Sequence, residues 1–140
     1  MPEATLPMVE LASRYSKAWG DRDVEGILAM HLDDSTFQVH GIDSRSKGRT
    51  EIRVALEAFF ATWADTRFEG RSRIVGEDYW VLEYTLHATL SGPLRVGKQT
   101  IKAAGQKVSF EGVDIVRVSS GRVASKDSYI DAIAVLEQTG

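Results

Sequence analysis

The 140-residue chain has no cysteine, which excludes disulfides, thiolate metal sites and a cysteine nucleophile together. Histidine is scarce: His31, His40 and His87 stand too far apart in sequence for a preformed ligand cluster, and there is no HExxH pair. Glycine-rich phosphate loops and nucleophile elbows are also missing, so no metal or cofactor is expected. Long apolar runs are lacking too. The opening MPEATLPMVELASRY is broken by Glu3, Glu10 and Arg14, which fits neither a secretory signal nor a transmembrane span. No membrane partner is expected, and the expected location is cytoplasmic. Nor is there a basic excess: the net charge of −3 leaves no footprint for nucleic acid or anionic lipid.

What the chain does contain is an ordinary globular balance, 43% hydrophobic and 26% charged residues, with no repeat, low-complexity tract or long linker. Its length suits a single domain, 1–140, with one hydrophobic core.

Residues 7 to 19 place Met8, Leu11, Ala12, Tyr15, Ala18 and Trp19 at helical spacing, with Pro7 suited to the first turn. Gly20-Asp21-Arg22-Asp23 reads as a stop and a new cap, Asp23 opening a short helix over 24–32. Thr36 to His40 is a short strand, and 41–48 a polar loop. Thr50 can cap a third helix whose apolar stripe runs through Ile52, Leu56, Phe59, Phe60 and Trp63. Beyond it the chain reads as strand. The clearest alternation covers 80–90, with Trp80, Leu82, Tyr84, Leu86, Ala88 and Leu90 on one face and Glu83, Thr85, His87 and Thr89 on the other. A connection over 94–106 leads to a hairpin, Val108–Val118 and Val123–Asp131, turned at Ser119-Ser120-Gly121-Arg122. Helices followed by antiparallel strands indicate an α+β fold with the helices on one sheet face.

Three stretches carry a family resemblance: RYSKAWGDRDVEGILAMHLDDSTFQVHG from Arg14, DTRFEGRSRIVGEDYWVLEYTLHATLSG from Asp65, and GQKVSFEGVDIVRVSSGRV from Gly105 with the closing LEQTG. The chain resembles the SnoaL-like polyketide cyclases and ketosteroid isomerases of the nuclear-transport-factor-2-like superfamily. The resemblance implies a cone-shaped, curved antiparallel sheet with N-terminal helices packed on its concave face, enclosing a pocket. It does not imply one reaction, because this fold hosts isomerases, cyclases, hydrolases and binding proteins.

Asp114 is the most informative residue. It shares a strand face with Phe110, Val116 and Val118, where an ionised carboxylate is costly unless a cation stands near it. A protonated Asp beside a Tyr is the arrangement of the ketosteroid isomerase oxyanion hole, and the resemblance maps Asp114 and Tyr15 onto it. The same comparison places Val39 at the isomerase base, and valine cannot move a proton. His40 replaces that base only if a bulge turns it inward. The epoxide-hydrolase branch wants an Arg and an Asp where this chain has Thr85 and His87, and alternation sends His87 outward. Lys126 reaches Asp114 in one hairpin register and faces outward in the register one residue away.

The candidate catalytic residues are therefore Asp114, Tyr15 and His40. The candidate pocket residues are Trp19, Phe37, Val39, Phe59, Trp63, Tyr84, Leu86 and Lys126. An aromatic cavity of this kind suits a flat or polycyclic apolar ligand carrying one or two oxygens. The expected function is a cofactor-independent lyase, cyclase or isomerase acting on such a carbonyl compound; a binding protein without turnover is the alternative. Val113 and Ile115 alternate outward, which points to a homodimer through the convex face.

Overall fold

The computed structural model describes residues 6–139. Helix α1 (Met8–Gly20) starts after Pro7 and buries Leu11, Ala12, Tyr15, Ala18 and Trp19 along one stripe. Arg22 takes a left-handed turn at φ 57°, and the Asp23 carboxylate accepts from the Gly26 amide at 2.9 Å, capping α2 (Val24–Ala29). Strand β1 (His31–His40) begins five residues earlier than its alternation suggests, because an irregularity between His31 and Thr36 hides the period of two. A two-residue strand, β2 (Ser46–Lys47), precedes α3 (Gly48–Thr62). Thr50 does not cap α3. The helix starts at Gly48, and the Glu51 carboxylate reaches back to the Lys47 amide at 3.0 Å.

The second half consists of β3 (Trp63–Val75), β4 (Tyr79–Leu90), β5 (Leu94–Val96), β6 (Gln99–Ile101), β7 (Lys107–Ser119), β8 (Arg122–Ile130) and α4 (Ala132–Thr139). The main sheet has the order β2-β1-β8-β7-β4-β3 and is antiparallel except where β1 runs alongside β8. Strands β5 and β6 form a separate hairpin within the segment expected to be a plain connection. Bulges in β3 bend the outer strand. The architecture is the expected α+β one, helices against the concave face of a curved sheet.

Helix α4 is a correction to the all-strand reading of the second half. Asp131 caps it through the Ala134 amide at 3.0 Å, and Val135 is fully buried. It also completes the sheet. Beyond Gly112, β7 has lost its β8 neighbour, and the Gln138 amide takes that place by pairing with both the N–H and the C=O of Ser109 at 2.9 and 2.7 Å.

The β7–β8 hairpin decides what reaches the interior. Ser120 and Gly121, both at positive φ (53° and 75°), close a two-residue loop, so Ser119 faces Arg122 and Val118 faces Val123. The next pair is Arg117 with Ser125, leaving Ala124 as an extra, bulged residue. From there inward the register is shifted by one: Lys126 faces Val116 and Ser128 faces Asp114. Without the bulge Lys126 would oppose Ile115 and point to the outer face.

Candidate functional site

Inward parity on β1, β4, β7 and β8, together with α1 and α3, leaves a cavity of about 610 Å³ between helices and sheet. That lies within the usual range for small-molecule sites. Trp19, Phe37, Val39, Phe59, Trp63, Tyr84, Leu86 and Lys126 all line it, joined by Phe68, Phe110 and Ser128. The aromatic walls brace one another: the Trp19 ring meets Phe37, Phe59 and Phe68 edge-to-face at 5.5–6.3 Å. The rim is formed by the loop after β1 (Ile42 to Ser46), the Pro93–Arg95 turn and one face of α3. Val54 is 64% exposed there, and Arg45 and Arg95 add positive charge. Burial pushes the rim carboxyl of Asp43 up.

The polar floor is a closed set of four side chains. Lys126 Nζ lies 3.2 Å from Asp114 Oδ2 and donates to Ser128 Oγ at 2.8 Å. Tyr84 Oη donates to Asp114 Oδ1 at 3.0 Å. The ammonium also sits over the Trp19 ring, 4.2 Å from its centroid, with Phe37 at 5.1 Å. Asp114 and Lys126 are 6% and 4% exposed, so each charge depends on the other for compensation. Asp114 is on the inner face as expected, yet it does not line the cavity: Lys126, Tyr84 and Ser128 stand in front of it. Burial, then the Asp114 charge and hydrogen bond, push the Tyr84 hydroxyl well above its ordinary range, with Ser128 acting in the opposite direction.

Gly112 makes the Tyr84–Asp114 contact possible. It is the direct cross-strand partner of Tyr84, and a Cβ there would stand 2.6 Å from both Cζ and Oη of that tyrosine. The phenol ring lies across bare backbone to reach Asp114 two residues further along β7.

Two of the candidate catalytic residues are elsewhere. Tyr15 does not reach the cavity. It is fully buried behind Trp19, its hydroxyl 2.7 Å from His31 Nε2, and the His31 Nδ1 lies 3.0 Å from Ser35 Oγ. Burial pushes the Tyr15 hydroxyl far up and lowers His31 to about 4, the latter helped by the charges of Lys126 and Arg49. Tyr84, not Tyr15, is the tyrosine beside Asp114. His40 faces the outer side, 2.8 Å from Asp127 and stacked on Tyr129 at 4.2 Å, because the irregularity of β1 precedes Thr36 and leaves Val39 pointing inward. His87 is outward as well, between Ser109 at 2.7 Å and Glu69 at 3.0 Å.

Ser128 and Gly112 were not singled out from sequence. Ser128 follows from Lys126 by alternation once the hairpin register is known, and Gly112 from pairing FEGVD against β4. Neither signal exists before strands are paired.

Among the described residues, no helix is long and apolar enough to cross a membrane. No functionally curated protein matches the sequence. The fold matches a polyketide cyclase candidate from Pseudomonas putida with TM-score 0.85 at 17% identity, covering 96% of this chain and 99% of that one. TerC co-crystallised with polyporic acid matches with TM-score 0.76 at 19% identity, covering 95% and 98%. A protein with a ketosteroid isomerase-like fold from Catenulispora acidiphila, in complex with trimethylamine, matches with TM-score 0.78 at 16% identity, covering 96% and 95%. The SnoaL-like domain model matches residues 12–126, which takes in most of α1, most of the cavity lining and the Asp114–Lys126 pair, and the chain belongs to the SnoaL-like family.

Proposed function

We propose that the chain is a cofactor-independent lyase, cyclase or isomerase that moves a proton on an apolar carbonyl compound, with Asp114 as the group that takes and returns it. The observation that carries this reading is the floor of the cavity. A buried carboxylate, an ammonium and a phenol are held at 3.0–3.2 Å beneath walls that are otherwise mostly aromatic and aliphatic. Burying a charged pair contributes little net stability, and such groups concentrate at functional sites. The family and the cyclase candidates among the structural neighbours support the same general chemistry. A flat or polycyclic ligand fits the aromatic walls, and TerC's co-crystallisation with polyporic acid supports small-molecule binding in this fold.

The test needs no knowledge of the final product. Carbonyl compounds with acidic α-hydrogens, incubated with the protein in heavy water, should incorporate deuterium α to the carbonyl faster than in buffer. Asp114→Asn should abolish most of that exchange. If no compound in a broad aromatic-polyketide panel exchanges, the enzymatic reading fails.

A second reading has its own support: Asp114 is set back from the cavity, and the resemblance to ketosteroid isomerases puts Val39 at the position of their base. In that reading the pocket binds a ligand without turnover, and quenching of Trp19 fluorescence would report binding while the exchange assay stays silent.

We also infer a homodimer through the outer sheet face. Ile74, Val81 and Ile115 form one cross-strand row there, with Val113 and Tyr129 in the next, and Ile74 and Tyr129 are 58% and 47% exposed.

A further inference from the structure

We propose that the floor of the cavity ionises weakly acidic carbonyl compounds, with Tyr84 relaying the ligand's proton to Asp114 and Lys126 receiving the oxyanion. The inference rests on the reading of Asp114 as the proton acceptor and adds the route, the anion site and the substrate class.

The route follows from what faces the cavity. Asp114 is set back from its lining, whereas Tyr84, Lys126 and Ser128 form part of it, so the shortest route for a ligand proton to Asp114 runs through one of them. Tyr84 already donates to Asp114 Oδ1. Its hydroxyl pKa lies well above the ordinary range, so it does not give up its proton unless it gains another. In a concerted step the ligand's O–H or C–H bond breaks and its electron pair stays on the ligand. The hydrogen passes to Tyr84 Oη while the hydrogen already there passes to Asp114 Oδ1. Tyr84 ends as it began, Asp114 ends as the neutral acid, and the ligand ends as an enolate or phenolate.

Charge accounts for the rest. Before the step, Asp114⁻ compensates Lys126⁺ and the ligand is neutral. Afterwards Asp114 is neutral and the ligand anion takes over as the partner of Lys126⁺. The net charge of the buried site does not change, so the step avoids the large cost of an uncompensated ion in an apolar cavity. At 3.2 Å, the Asp114 contact is the longer of the two polar contacts Lys126 makes; losing the Asp114 charge turns the ammonium toward the ligand. The Trp19 and Phe37 rings hold the ammonium in place meanwhile.

This arithmetic selects the substrate. A ligand that enters already ionised, such as a carboxylate, would add a second negative charge beside Asp114⁻. A ligand with no acidic hydrogen has no proton to relay. The class that fits is the neutral weak acid: enolised 1,3-dicarbonyl compounds and phenols on flat aromatic frames. Carboxylates are weak bases, which again favours an acidic C–H or O–H over an ordinary ketone.

4-Nitrophenol tests this, because its absorption reports ionisation directly, and 4-nitroanisole is its non-ionisable counterpart. At a pH well below the phenol's own pKa, the wild-type protein should bind it with the phenolate band, raising its ionised fraction by about tenfold or more. Tyr84→Phe and Lys126→Met should bind it in the neutral form, and 4-nitrobenzoate should bind more weakly than the phenol. If Lys126→Met does not fold, the double variant Asp114→Asn/Lys126→Met, which removes both charges, should give the same neutral spectrum. A wild-type protein that fails to bind the phenol, or binds it un-ionised, overturns the proposal, as does a phenolate band that survives in both Tyr84→Phe and Lys126→Met. Failure here is separable from failure of the proposed activity. Ionisation of the phenol without deuterium exchange supports this site and removes the enzyme. Exchange that is lost in Asp114→Asn but untouched in Tyr84→Phe keeps the enzyme and removes the relay.

Discussion

Lys126 and Asp114 meet on a diagonal of the sheet. Asp114 directly opposes Ser128 and Lys126 opposes Val116, yet Nζ lies 3.2 Å from Oδ2. The extra residue at Ala124 puts both on one face.

Because each charge is buried and compensates the other, removing one should cost more than removing both. Lys126→Met and Asp114→Asn should each lower unfolding free energy by about 3–5 kcal/mol, and the double variant should recover a large part of the loss. Urea titrations of the four proteins measure this. Strictly additive losses would mean that the two residues do not act as a pair.

Gly112→Ala places a methyl group 2.6 Å from the Tyr84 hydroxyl and ring carbon, and the ring also packs edge-to-face with Phe68 at 5.7 Å. The expected outcome is a destabilisation of about 1–3 kcal/mol, together with loss of deuterium exchange as Tyr84 leaves Asp114. Thermal melts and the exchange assay check it. A variant with unchanged melting temperature and full exchange would show that Tyr84 has room to move.

The buried His31 sets a pH window. Its pKa in the fold is about 4, against 6.5 for the free side chain. Between these values the unfolded chain binds more protons than the folded one, so stability rises with pH across the window and this penalty vanishes above it. The full span corresponds to about 3 kcal/mol. His31→Gln, compared with wild type by urea titration from pH 6.5 to 5, should show a shallower dependence. Parallel curves would place the acid sensitivity elsewhere.

Tyr15→Phe separates fold from function. The hydroxyl serves His31, not the cavity, so its loss should cost about 1–3 kcal/mol and leave deuterium exchange within a few-fold of wild type. Tyr84→Phe should show the reverse emphasis, losing exchange. Comparable rate losses in both would return Tyr15 to the site.

Light scattering at micromolar concentration should give the mass of a dimer, and Ile115→Lys, in the outer apolar row, should give a monomer. A wild-type monomer at that concentration counts against the outer-face interface.

Much of this protein was legible before any strand was paired. The period of 3.6 in α1 and the period of two over 80–90 determined which residues face inward, and inward faces of neighbouring elements become cavity walls. That is why spacing put Trp19, Tyr84 and Leu86 on inward faces, and the family resemblance made those faces pocket walls. The carboxylate at Asp114 stood out for the same reason, a charge on an apolar face. Short or irregular elements were less readable: α4 has eight residues and takes its stability from docking on β7, and the start of β1 is masked by its own irregularity.

Partnership was decided by tertiary structure. One bulged residue at Ala124 sends Lys126 to Asp114, one missing Cβ at Gly112 lets Tyr84 reach the same carboxylate, and the packing of α1 against β1 commits Tyr15 to His31. Alternation tells which face a side chain takes along its own strand. Which residue it meets depends on register, and a shift of one residue reverses the answer for every position beyond it.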